Sequence, residues 1–194
     1  MVWEYLEMLR RQTRSIQDIT DVKELRQTIC LCILLAVTTV EAFMNLFFQV
    51  LVNKPEFAAQ QASILDSLKQ RRSLDYKVKN WPNELFGKGI DLTQGIGKEF
   101  ESLKGLRNKL MHFTSSEDVN IEGVTLHNVS DISFYDNLTA KEAYDAEHTA
   151  ACFIEEILKL SGLTDSSLQG RMLHWTGLPN AAILRAGDET TRNT

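Results

Sequence analysis

Apolar positions dominate the chain from Ile29 to Val52, and no glycine or proline interrupts it between Asp21 and Asn53, so one long helix is predicted there. Within that stretch Thr38, Glu41, Asn45 and Gln49 recur at helical spacing, forming a polar stripe along one side of a greasy cylinder. Leu31, Leu35, Val40, Met44, Phe47 and Phe48 take up most of the remaining circumference, and such a helix must be covered from several directions. A helix of this length could also cross a bilayer. An ionised side chain at mid-membrane costs about 2.5–3.5 kcal/mol or more, so Glu41 favours the buried central helix of a bundle, with no membrane contact.

Residues 56–70 predict a second, more amphipathic helix, broken at Asn80-Trp81-Pro82, where the tryptophan reads as a packing anchor. Gly87 and Gly89 lead to Asp91, a candidate N-cap for a helix reaching His112 with Ile96, Phe100, Leu103, Leu106 and Leu110 facing inward. Helical period is lost over 114–138, where Val119-Asn120-Ile121 and Val124-Thr125-Leu126 alternate as an ordered loop or a small hairpin would. Thr139-Ala140-Lys141-Glu142 is a capping box that opens a helix to Leu160, and Gly162 supplies the stop. The fold class expected is therefore all-α, a bundle of four to five antiparallel helices with a loop or small hairpin after the helix that reaches His112. Residues 1–162 form that bundle, and residues 163–194 a C-terminal segment with a short helix to Thr176 and a flexible polar tail.

A length of 194 residues suits one substantial core. The formal net charge of -5 argues against a surface that coats nucleic acid broadly, so any RNA contact must be local. Positive charge does gather at Lys69, Arg71, Arg72, Lys77, Lys79 and Lys88, which read either as a solvated helix end or as the flank of a phosphate groove. Cys30, Cys32 and Cys152 lack metal-finger spacing, and two of them lie in the apolar helix, where cysteine behaves as a small hydrophobe; neither zinc nor a disulfide is expected. Met1-Val2-Trp3-Glu4-Tyr5 has no cationic stretch leading into an apolar one, so a cytoplasmic location is expected. No P-loop, Gly-x-Ser-x-Gly elbow or His-Glu-x-x-His helix occurs.

The chemistry concentrates in Leu106-Arg107-Asn108-Lys109-Leu110-Met111-His112-Phe113, which sets an arginine, an amide and a histidine within about 1.5 turns of one helix. Arg107 falls inside the arc of Phe100, Leu103 and Leu110, so its cation projects toward the core or an interface and needs an anion. Glu41 on the apolar helix has the converse need, and the two are expected to lie together. Asn108 and His112, four apart, share a face.

The Arg-Asn-x3-His spacing, late in a helix of an otherwise helical chain, resembles the motif of the HEPN superfamily, whose catalytic members are metal-independent ribonucleases. The resemblance covers residues 20–162 as a layout and only these few residues as a motif. It implies a HEPN-like bundle acting as an endoribonuclease, a toxin or defence effector, that cleaves RNA to 2′,3′-cyclic phosphate and 5′-OH ends with no cofactor or metal. His112 would be the acid or base, Arg107 would neutralise the phosphorane, Asn108 would orient phosphate or histidine, and Glu41 with Asn45 would support the arginine. Cyclising cleavage needs both an acid and a base, which two protomers facing across a two-fold axis would supply, so a homodimer is implied; an antitoxin or other regulatory protein is a further candidate partner. The alternative is a non-catalytic HEPN-like module that binds protein or nucleotide, with the motif kept as a structural ion pair. His127, His148 and His174 read as surface or packing residues.

Overall fold

A computed structural model describes residues 1–112, 116–121, 124–130, 133–179 and 181, with backbone alone for 112, 116–121, 125–130, 133 and 165. The protein is mostly helical: α1 (Val2–Ser15), α2 (Val22–Leu51), α3 (Gln61–Lys69), α4 (Leu74–Phe86), α5 (Gly95–His112), a hairpin of β1 (Ser116–Ile121) and β2 (Val124–Ser130), α6 (Ser133–Asp136), α7 (Ala140–Leu160) and α8 (Asp165–Thr176). The long apolar stretch is α2, opened by Asp21, whose carboxylate accepts the Glu24 N–H at 2.7 Å. By length and composition α2 could cross a membrane, yet in this fold it is the central element, packed by α1, α5 and α7. Ile33, Ala36, Val40, Phe43, Met44 and Phe48 are fully buried, whereas Leu31 is 40% exposed, so the cover is incomplete on one side.

Three features differ from the sequence reading. The first fourteen residues after Met1 form α1, whose Val2, Leu6, Leu9 and Thr13 pack inward at helical spacing. Asn80-Trp81-Pro82 does not end a helix; Pro82 lies inside α4, and the chain breaks earlier, where Arg71 takes a φ of 52° before the Ser73 cap. Proline removes the N–H that would bond the Val78 carbonyl, and burial of both Trp81 and Pro82 offsets that loss. Trp81 is the packing anchor, fully buried with its ring 5.4 Å from that of Phe48. Asp91 caps a turn rather than a helix, accepting from the Thr93 N–H and hydroxyl at 2.8 and 2.6 Å, and α5 begins four residues later. Gly97 permits that entry: a Cβ there would stand 2.1 Å from the Asp91 carbonyl oxygen. The short helix expected to end at Thr176 is present as α8, and it packs on α1 and α7 through Leu168 and Met172.

The stretch after α5 contains an antiparallel hairpin that pairs Val119 with Leu126 and Ile121 with Val124, with an irregularity between Glu117 and Val119. The frayed end expected at 187–194 lies outside the described residues.

The α7 start is the cleanest boundary, since the Thr139 N–H and hydroxyl both donate to Glu142 Oε2, at 2.8 and 2.6 Å. Burial would raise the Glu142 pKa, but the bonds from Thr139 outweigh it and hold the group below its usual 4.5. A depressed folded-state pKa means the contribution is complete above 4.5 and is lost as the pH falls through the lower folded value. Thr139→Ala should therefore lower stability at neutral pH by about 0.5–2 kcal/mol, and the deficit should shrink in acid; urea unfolding at the two pH values reads both. An equal deficit throughout would remove the carboxylate from the account.

Candidate functional site

Helix α5 is fixed to the bundle by its first half. Phe100 is fully buried and its ring stacks on Phe153 of α7 with centroids 4.1 Å apart, while Leu103 is nearly buried beside it. Lys104 is also buried, its ammonium held by Asp75 of α4 and by Glu101 at 2.6 Å. The second half carries the motif outward from this anchor. Arg107, seven residues after Phe100 and hence about 20° from it on the helix, is half-buried, and Asn108 is exposed. His112 closes α5, and its side chain lies outside the described residues. Arg107 thus sits on the inward arc, as its spacing implies.

The expected Glu41–Arg107 pair does not form. Glu41 Oε1 instead accepts from Lys77 Nζ of α4 at 3.2 Å, and among the described residues Arg107 makes no ion pair. Register explains the exchange of partners. Trp81 seats on Phe48, so Lys77, one turn before Trp81, comes level with the Glu41 turn of α2 and passes its ammonium 5.8 Å from the indole. Lys77 is 4% exposed and leaves the basic cluster; Lys69, Arg71, Arg72, Lys79 and Lys88 stay on the surface. Asn45, one turn beyond Glu41, keeps its Oδ1 buried without a hydrogen bond, as does the Trp81 Nε1. The structure therefore gathers Glu41, Asn45, Lys77 and Trp81 into one α2–α4 seam, separately from the Arg107–Asn108 pair.

On the other flank of the motif helix lies a cavity of about 960 Å³ between α5, α6 and α7. Leu103, Leu106 and Lys109 of α5 line it at intervals of three, and α7 contributes Tyr144, His148 and Thr149. Phe134 of α6 and Leu138 also line it. His148 Nε2 is 3.4 Å from Cys152 Sγ one turn on. His148 was read from the sequence as surface or packing, and its only sequence signal is the four-residue spacing from Tyr144 along one face of α7. His174 is exposed, edge-on to Trp175 at 5.3 Å, and the His127 side chain lies outside the described residues.

A second charged cluster went unseen in the sequence. Arg10 of α1 is buried 3.7 Å from Glu147 of α7, and the Thr13 hydroxyl donates to Glu147 Oε2 at 2.5 Å. Arg10 Nη2 donates to the Thr176 carbonyl at 2.7 Å, which ties down the end of α8. Burial, reinforced by Glu147, pushes the Cys32 thiol up to about 12, so it stays protonated and unreactive. Burial alone raises Cys30.

The chain matches no family model, no curated protein and no solved structure.

Proposed function

We propose that this protein is a HEPN-type, metal-independent endoribonuclease whose reacting groups are Arg107, Asn108 and His112. One observation carries the reading. The buried basic side chains Arg10, Lys77 and Lys104 each have a carboxylate partner, whereas the half-buried Arg107 has none among the described residues. A partly desolvated guanidinium is stabilised by a planar oxyanion, and a phosphodiester fits its donor fork. In the reaction a ribose 2′-OH attacks the adjacent phosphorus and gives up its proton to a base. The 5′-oxygen leaves and takes a proton from an acid, so the products are a 2′,3′-cyclic phosphate and a 5′-OH. His112 serves one of these transfers, and a second copy of the chain across a two-fold axis supplies the other. Arg107 neutralises the charge that develops on the phosphorane, and exposed Asn108 orients the phosphate.

A second reading, a binding module for protein or nucleotide, gains from the engagement of Glu41 with Lys77, which leaves Arg107 without the carboxylate that would fix its rotamer. Incubation of the purified protein with mixed cellular RNA in EDTA separates the two. Cyclic phosphate ends support cleavage. Intact tRNA, rRNA and mRNA after incubation with folded protein favour the module.

A further inference from the structure

We infer that the cavity between α5 and α7 is a nucleobase pocket, which takes the base of a nucleotide whose phosphate lies at Arg107. This rests on the ribonuclease reading for the polymer to which the base belongs. Position comes first. Leu103 lines the cavity and is one turn, about 6 Å along the helix axis, before Arg107 on the same face of α5, so a ligand reaching past Leu103 comes within side-chain reach of the guanidinium. Size agrees, because 960 Å³ stands near the top of the roughly 300–1,000 Å³ range of small-ligand sites, ample for a nucleoside.

Wall chemistry and charge narrow the occupant. Half-buried Phe134 and Tyr144 offer aromatic faces, and Leu103, Leu106 and Leu138 an aliphatic floor, which together suit a flat ring. Ser102 and Thr149 add hydroxyl groups to the lining, and Asn137 and His148 further polar side chains. Two lysines, Lys109 and Lys141, face three carboxylates, Glu99, Glu142 and Asp145. Lys141 pairs with Asp145, and Glu142 is committed to the α7 cap, so the cavity holds no surplus positive charge for a phosphate. A neutral ring enters and the phosphate stays outside, at the guanidinium. Glu99, exposed and acceptor-only when ionised, favours bases that present an exocyclic amine, so adenine, cytosine and guanine should be preferred to uracil.

Equilibrium binding of adenosine, uridine and AMP to the full chain, followed by NMR titration, tests this without relying on cleavage. Wild type should bind adenosine more tightly than uridine. Filling the cavity with Leu106→Trp, or removing an aromatic wall with Tyr144→Ala, should each weaken adenosine by about 10-fold. The tyrosine variant serves if the tryptophan disturbs folding. Any advantage of AMP over adenosine should vanish in Arg107→Ala. Absence of adenosine binding to folded wild type, binding unaffected by both cavity substitutions, or an AMP advantage that survives Arg107→Ala would each overturn the pocket. Nucleoside binding by a protein that cleaves no RNA keeps the pocket and removes the ribonuclease; cleavage with base preference unchanged in Leu106→Trp and Tyr144→Ala does the reverse.

Discussion

His112→Ala is expected to slow RNA cleavage by about 10²–10⁴-fold under single-turnover conditions, the typical contribution of one general acid or base. Arg107→Ala should cost about 10²–10³-fold, the scale for removing one oriented donor from a developing oxyanion. Arg107→Lys should recover little, because an ammonium keeps the charge but loses the planar fork. Stability distinguishes this role from a structural one. Arg107 makes no ion pair among the described residues, so its removal strands no carboxylate and the urea midpoint should move little. Full cleavage by either alanine variant would sink the assignment, and so would a large loss of stability in Arg107→Ala accompanied by a proportionate loss of activity.

The contrast between Arg107 and the other buried cations also explains what could be read from the sequence. A charge on an apolar helical face needs a counter-charge, and that rule marks Glu41 and Arg107 correctly as unusual. It applies equally to Arg10 between Leu6 and Thr13, to Lys104 beside Phe100 and Leu103, and to Glu147 between Ala143 and Ala150. Which cation meets which anion depends on helix register across the bundle, set by contacts such as Trp81 on Phe48 and Phe100 on Phe153. Spacing within one helix carries no information about that register. Joining Glu41 to Arg107 was therefore the right chemistry with the wrong partner; Lys77 occupies the carboxylate.

Helix boundaries were legible where a side chain completes a local bond. Asp21 opens α2, Thr139 and Glu142 open α7, and Gly162, at a φ of +80°, follows α7, so these ends need no tertiary information. Helix α1 was missed because Met1 offers no side-chain cap and Arg10 interrupts its apolar stripe. Pro82 misled because its local penalty is overridden by burial, a tertiary effect. The cavity was invisible for the same reason: its walls come from α5, α6 and α7, whose separation no single segment encodes.

The buried Arg10–Glu147 pair gives the second large effect, and it tests the bundle independently of the site. Truncation by Glu147→Ala leaves a 5%-exposed guanidinium without its nearer carboxylate, with only Glu7 at 3.9 Å, while the Thr13 hydroxyl keeps the Leu9 carbonyl as acceptor at 2.7 Å. Burial already draws the Arg10 pKa down, and Glu147 and then Glu7 act against that pull, so loss of Glu147 removes the main support for the charged form. A destabilisation of about 3 kcal/mol is expected, at the lower end of measured values because the contact is long and Nε has no hydrogen bond. For a chain of this size that corresponds to about 6–12 °C in Tm. Arg10→Met combined with Glu147→Leu should return to within about 1 kcal/mol of wild type, since the apolar pair strands neither charge. Urea unfolding of Arg10→Met, Glu147→Leu and the double variant completes the cycle, and a Glu147→Ala loss below about 1 kcal/mol would mean that water reaches the guanidinium. Because Arg10 also holds the Thr176 carbonyl, α8 amides should exchange faster in Glu147→Ala. RNA cleavage by the fraction still folded should be unchanged, which would separate the ion pair that holds the bundle from the unpaired arginine assigned to the chemistry.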